Sequence, residues 1–221
     1  MIDPKNVDYR RNVDPAITEE FWLYSFLVAG KTSSTIAPRL DGMLMDLPKR
    51  AELKLRYNPF ARISILFRDD IFTYDEAVQY LKEWGFGQQK RTLRFFKQTL
   101  ELYTSKRGSG IEYYPVEYWS IKEIESIYGV GLKTSRFFLM NTRDNVRVAA
   151  IDTHIIKYLK HKNVISEDVP LVTPTNKSTY EAYERLFIEL ADKKNMNIRD
   201  FDQQIWNHYS SNPKTEYKEA C

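Results

Sequence analysis

Residues 120–134 read Ser-Ile-Lys-Glu-Ile-Glu-Ser-Ile-Tyr-Gly-Val-Gly-Leu-Lys-Thr. Ser120 followed three positions later by Glu123 is a capping box, and the short helix it opens stops at Gly129. A second helix begins near Leu132. Gly129-Val130-Gly131 is therefore a tight turn between two helices, with backbone angles that glycine adopts at little cost. Amides at the start of the second helix point outward with the positive end of its dipole, a ready phosphate site. Carbonyls of the turn, near Gly129 and Gly131, could also hold a monovalent cation bridging to a nucleic acid. Taken alone, such a turn is equally a plain connection, because glycine so often ends helices.

Outward from this segment, helix signals dominate. Asp14-Pro15 opens a stretch running to Gly30, with an N-cap residue, a first-turn proline and a terminal glycine. Its centre, Phe21 to Ala29, is apolar nearly all round, the mark of a buried helix. Thr73-x-x-Glu76 is another capping box, with Gly85 as the stop. A longer helix is predicted from about Gln88 to Ser105, with Leu93, Phe96, Leu100 and Tyr103 on one face. Thr179 to Lys194 and Phe201 to Tyr209 complete the set. Ala61 to Phe67 alternates partly, yet one candidate strand cannot make a sheet. The predicted class is all-α, with a mobile tail after Asn212.

The chain has 221 residues, of which 43% are hydrophobic and 14% aromatic, the composition of a globular protein with a real core. A net charge of +3 does not by itself point to nucleic acid. Between Lys82 and Arg107, however, seven Lys/Arg face only Glu83 and Glu101. That excess suits either a phosphate backbone or an ordinary solvated helix face. The only cysteine is Cys221, which excludes internal disulfides, all-cysteine metal sites and iron–sulfur clusters. No apolar run approaches the roughly 18–20 residues of a membrane span, and Met-Ile-Asp-Pro-Lys is not a signal peptide. A soluble, intracellular protein is expected, cytoplasmic or nucleoid-associated.

Lys133 lies two residues beyond Gly131, in the first turn of a helix. The helix dipole there disfavours a cation and favours the neutral amine, which is the nucleophilic form. The plainer reading is a surface lysine that pairs with phosphate. Asp152 follows nineteen residues later, within Ala149-Ala-Ile-Asp-Thr-His-Ile-Ile-Lys-Tyr158. It is a natural N-cap, and capping could be its whole role. A capping aspartate at a cleft would also stay ionised, as a carboxylate facing a developing sugar cation must. His154 reads as structural or as a phosphate contact. Gly30-Lys31-Thr32 is no P-loop, since the glycine required five residues earlier is Ser25.

Ile127-Tyr-Gly-Val-Gly-Leu-Lys-Thr134 and Ile151-Asp-Thr-His154 together resemble the helix–hairpin–helix DNA glycosylases, whose pattern is Leu-Pro-Gly-Val-Gly-x-Lys-Thr followed by Val-Asp-Thr-His. Tyr128 stands where that family has proline. Phe26 to Ser34 is similar to the family's second helix and the loop that fills the gap left by a flipped base, with Gly30 where many members have glutamine. Gly85 to Arg91 is similar to the entry into the helix before the hairpin, so the resemblance covers residues 18–160. Without the four-cysteine cluster of endonuclease III, it points to the cluster-free branches, including archaeal-type 8-oxoguanine enzymes. Asp202-Gln-Gln-Ile-Trp206-Asn-His-Tyr209 looks like their terminal helix, where a tryptophan borders the base pocket; Trp206 is otherwise a core residue.

The resemblance implies two helical lobes, residues 18–147 and a second formed by 1–17 with 148–221, with DNA in the cleft between them. It implies a base-excision glycosylase with strand-cleaving lyase activity, in which Lys133 forms a Schiff base and Asp152 stabilises charge. Gly129, Val130, Gly131, Thr134, His154 and Lys31 would contact DNA; Trp206, Tyr209 and Gly30 would line the base pocket. Oxidised guanine is the expected base, with an oxidised or modified pyrimidine as the alternative. A base-modifying transferase on this fold and a non-catalytic DNA-binding module are the readings from other classes. The expected partner is duplex DNA bearing a damaged base, bound by a monomer, with no cofactor and no metal beyond a hairpin cation.

Overall fold

The computed structural model describes residues 2–3, 6–11, 14–54, 58–107, 110–111 and 114–211. Its secondary structure is helical throughout, apart from a two-residue ribbon pairing β1 (Lys106–Arg107) with β2 (Gly110–Ile111). The chain divides into two compact units, Met1–Val130 and Gly131–Cys221. The tail after Asn212, expected to be mobile, and Cys221 lie outside the described residues. No described helix is long and apolar enough to cross a membrane.

The first unit is built around α1 (Pro15–Leu27). Asp14 caps it by accepting the Ala16 amide at 3.0 Å, and every residue from Thr18 to Leu27 is buried, as the all-round apolar sequence requires. Trp22 donates its indole N–H to Thr99 Oγ1 at 3.0 Å, and Phe26 stacks on Phe95 with centroids 3.7 Å apart. These contacts fasten α1 to α5 (Gln89–Tyr103). Burying side chains of this size stabilises by about 1.5–3 kcal/mol each. The Thr73–Glu76 capping box forms at α4 (Tyr74–Glu83), and Gly85 beyond it has φ +67°.

One element departs from expectation and one lies outside it. Ala61–Phe67 is helical: α3 (Pro59–Ile63) runs into a 3-10 turn over Ser64–Phe67. Asn58 starts it by accepting the Ala61 amide at 2.7 Å, and Pro59 fits the first turn, so local capping overrides the alternation. The other element, for which there was no expectation beyond Ser34, is α2 (Ser33–Arg50), a helix of 18 residues despite Pro38 and Pro48 within it. Ile36, Leu40, Met43, Leu44 and Leu47 form its buried stripe. Gly42 there admits the Trp84 ring, which would lie 2.5 Å from a Cβ.

In the second unit, α7 (Leu132–Thr142), α8 (Thr153–His161), α9 (Lys177–Lys193) and α10 (Ile198–Ser211) enclose their own core. Phe187 and Phe201 stack at 4.9 Å, and Tyr158 meets Phe201 edge-on at 5.4 Å. The buried segment Ala149-Ala150-Ile151 leads straight into α8 and so fixes where Asp152 emerges.

Candidate active site

The first unit closes with α6 (Ile121–Ser126), held by the Ser120–Glu123 capping box. Gly129 follows with φ +82°, and a Cβ on it would fall 2.7 Å from Arg91 Nε and 3.1 Å from the Phe26 ring. Glycine is required there. Gly131 is different: its φ is −95° and a Cβ would meet nothing within 4 Å. The tight-turn requirement assigned to both glycines therefore belongs to Gly129 alone. Gly131 leaves open space at the start of α7, which has no side-chain cap. The first-turn amides of a helix have no intrahelical acceptors, so this end presents donors and positive dipole together. Val130 and Thr134 are buried on either side.

Lys133 Nζ lies 3.6 Å from Asp152 Oδ2. The two oxygens of Asp152 divide their work. Oδ1 accepts the amides of His154 at 2.8 Å and Ile155 at 3.0 Å, while Oδ2 faces the amine. Double capping holds the carboxylate in one rotamer. The Lys133 side chain is 46% exposed and that of Asp152 only 14%, so the amine is reachable while the carboxylate is sheltered.

Two aromatic residues of α10 lie against His154, two positions beyond Asp152. The His154 ring is parallel to Tyr209 at 6.4 Å and edge-on to Trp206 at 6.2 Å. Tyr209 is buried, whereas Trp206 is 40% exposed and so is not a core residue. Burial pushes the His154 imidazole below its ordinary range despite the Asp152 charge, so it is neutral near pH 7. Its Nδ1 is buried with no hydrogen-bond partner. Asp202, also on α10, is held well above the usual carboxylate range by burial first and the Asp152 charge second. Asp202, a carboxyl that senses Asp152, was not among the expected site residues, because nothing local in the sequence links positions fifty residues apart.

A second missed group sets the position of Asp152. The Tyr180 hydroxyl accepts the Ile151 amide at 2.8 Å and donates to the Ala149 carbonyl at 3.0 Å. Glu184, one turn along α9, accepts the Ala149 amide at 2.9 Å. Its carboxylate meets the buried Arg136 of α7, whose guanidinium also lies over the Tyr180 ring at 5.3 Å. Lys133 and Arg136 share one helix, so the segments bearing the amine and the carboxylate are tied through a single buried network.

Gly30 and Lys31 belong to the first unit. Gly30 has φ +71° and open space around it. Burial, then the charges of Arg91 and Arg39, lower the Lys31 amine below its ordinary range. The two carbonyls considered for a cation are both engaged. Gly129 O accepts from Arg91 Nη2 at 2.8 Å, and Gly131 O accepts the Ser135 amide at 3.1 Å. Each of these carbonyls thus has one hydrogen-bond donor on it.

A family model for 8-oxoguanine DNA glycosylases of the helix–hairpin–helix type matches residues 72–196, more than half of the chain. Among solved structures, the chain is similar to Methanocaldococcus jannaschii 8-oxoguanine glycosylase/lyase in complex with 15mer DNA containing 8-oxoguanine. The identity is 18% and the TM-score 0.57, over 94% of this chain and 86% of that one. A structure of the same organism's 8-oxoguanine DNA glycosylase gives 18% and 0.57, over 96% and 85%. At that identity the likeness is one of fold. No curated protein sequence matches the chain.

Proposed function

As the chain belongs to the 8-oxoguanine DNA glycosylase family, we propose that it excises oxidised guanine from duplex DNA and then nicks the strand through a Schiff base on Lys133. The observation that carries this is the Lys133–Asp152 pair: a reachable amine 3.6 Å from a sheltered carboxylate oxygen that capping leaves uncommitted. The α7 amides receive a backbone phosphate, and the damaged base leaves the stack at a cost of a few kcal/mol. Trp206, which is exposed, supplies an aromatic face for it, with Tyr209 buried behind His154.

In the chemical step, Asp152 takes a proton from the Lys133 ammonium. The neutral amine attacks C1′, and the C1′–N bond breaks with its electron pair leaving on the base, which takes the proton that Asp152 received and so returns Asp152 to its carboxylate form. Asp152 stabilises the positive charge on the sugar as that bond lengthens. Opening of the sugar ring gives the imine. Loss of a C2′ proton then expels the 3′ phosphate, and water releases Lys133. No cofactor enters this sequence, and a monomer suffices for it.

Incubation with single-lesion duplexes under borohydride tests the proposal. An 8-oxoguanine duplex should yield a covalent adduct, and Lys133→Gln should abolish it. Base release without any trapped adduct would make the enzyme a monofunctional glycosylase. Trapping only on an oxidised pyrimidine would overturn the substrate assignment.

A further inference from the structure

Three residues on one face of α5, spaced by three and four positions, converge on the hairpin. Gln98 Oε1 accepts the Tyr128 amide at 2.6 Å. The Arg94 guanidinium lies 3.9 Å from the centroid of the Tyr128 ring, which is 42% exposed. Arg91 donates to the Gly129 carbonyl at 2.8 Å and is itself steadied by Gln88, which accepts from its other terminal nitrogen at 2.7 Å. The Ile127–Tyr128 and Gly129–Val130 peptides, already joined by the turn's own bond from the Val130 amide to the Ile127 carbonyl at 3.1 Å, are thus each held in addition by a side chain of α5.

We infer that this face of α5 is a template for the hairpin, with Gln98 and Arg94 as positioning residues that keep the turn in its phosphate-binding shape. The inference rests on the DNA-binding reading given above. The turn, with glycine at φ +82°, is closed by a single backbone bond from the Val130 amide to the Ile127 carbonyl, so contacts from outside add to its order. Gln98 fixes Tyr128 through its N–H, Arg94 through its ring, and Arg91 fixes the next carbonyl. Arg94 in this role acts from the protein side of the turn and need not touch a phosphate.

The template can be bypassed by chemistry at a single position. Proline at 128 has no N–H for Gln98 and pre-sets its own φ. It also restricts the preceding residue to extended angles, and Ile127 already has φ −73° and ψ 130°. A proline there should supply locally the order that Gln98 supplies from α5.

The experiment measures affinity for an undamaged duplex in wild type, Gln98→Leu, Tyr128→Pro and the double variant, each with its melting midpoint. Gln98→Leu alone should weaken binding about three- to tenfold, the effect of one lost hydrogen bond, with little change in melting. In the Tyr128→Pro background the same substitution should change binding by less than about twofold. Equal weakening in both backgrounds, or none in either, would overturn the template. Hydrogen exchange of the peptide spanning the hairpin is the second measurement. It should quicken in Gln98→Leu before global unfolding, and unchanged exchange would also overturn the inference. A wild-type protein that binds no duplex would instead remove the DNA-binding reading, and the template with it.

Discussion

Arg136 and Glu184 meet out of water, with Nε 3.5 Å from the same carboxylate oxygen that accepts the Ala149 amide. The pair therefore joins α7 to the segment that delivers Asp152. Removing one member leaves a buried charge without its partner, which typically costs about 3–5 kcal/mol. Glu184→Ala should lower the free energy of unfolding by that order, read from urea denaturation. Glu184→Gln keeps an acceptor for the Ala149 amide and should cost less.

Tyr180→Phe isolates the positioning effect. It strands the Ile151 amide at a cost of about 1–3 kcal/mol but leaves every group of the Lys133–Asp152 pair in place. Single-turnover base release should slow more than duplex affinity falls. An unchanged rate would mean that residues 149–151 do not set the placement of Asp152.

Asp152→Asn keeps a competent cap, because asparagine and aspartate serve about equally well there. Melting should stay near native. The charge facing the sugar is gone, and electrostatic stabilisation of this kind is worth about 10²–10³ in rate. Native melting with an unchanged rate would reduce Asp152 to a cap and return the chain to the binding-module reading.

The two glycines should separate cleanly. Gly131→Val meets open space in the protein, so it should fold normally and weaken binding to damaged and undamaged duplexes alike, as expected when a phosphate contact is blocked. Gly129→Ala, at positive φ and against Arg91 and Phe26, should lower stability as well. Melting curves and duplex titrations on both variants distinguish the cases.

Burial raises the Glu19 carboxyl to about 7, against 4.5 ordinarily, while it accepts the Phe60 amide at 3.1 Å. Between those values the unfolded chain has released a proton that the fold retains. The contribution of Glu19 to stability is therefore greatest below 4.5, falls as pH rises through 7, and levels above it. The total is roughly 3 kcal/mol, from about 1.4 kcal/mol per pKa unit. Glu19→Gln should flatten this profile in urea titrations at pH 5 and pH 8.

Much of this was legible in the sequence where the signal is local. Asp14-Pro15, Thr73–Glu76, Ser120–Glu123 and the Asp152 cap each depend on neighbours within three residues, and each forms. The same locality made Ala61–Phe67 ambiguous, since Ile63, Ile65 and Leu66 fit either period until the Asn58 cap is recognised. In α2, two prolines concealed a regular apolar stripe. The supports of the site were out of reach for a different reason. Tyr180 with Ile151 and Gln98 with Tyr128 are paired across about thirty residues by tertiary packing, and no spacing rule encodes such pairs.

Burial first, and after it the like charges of Arg91 and Arg39 nearby in the first unit, lower the Lys31 amine. Repulsion of that kind is relieved when a polyanion draws near, and the unfolded chain, with the three charges dispersed, gains less from the same polyanion. Any duplex, lesion-bearing or not, then acts as a stabilising ligand of the native state, with an effect that grows as the logarithm of its concentration once that exceeds the dissociation constant. A molecule travelling along intact DNA is harder to melt or to proteolyse than one adrift in solution, so a warmed sample loses its unbound molecules first.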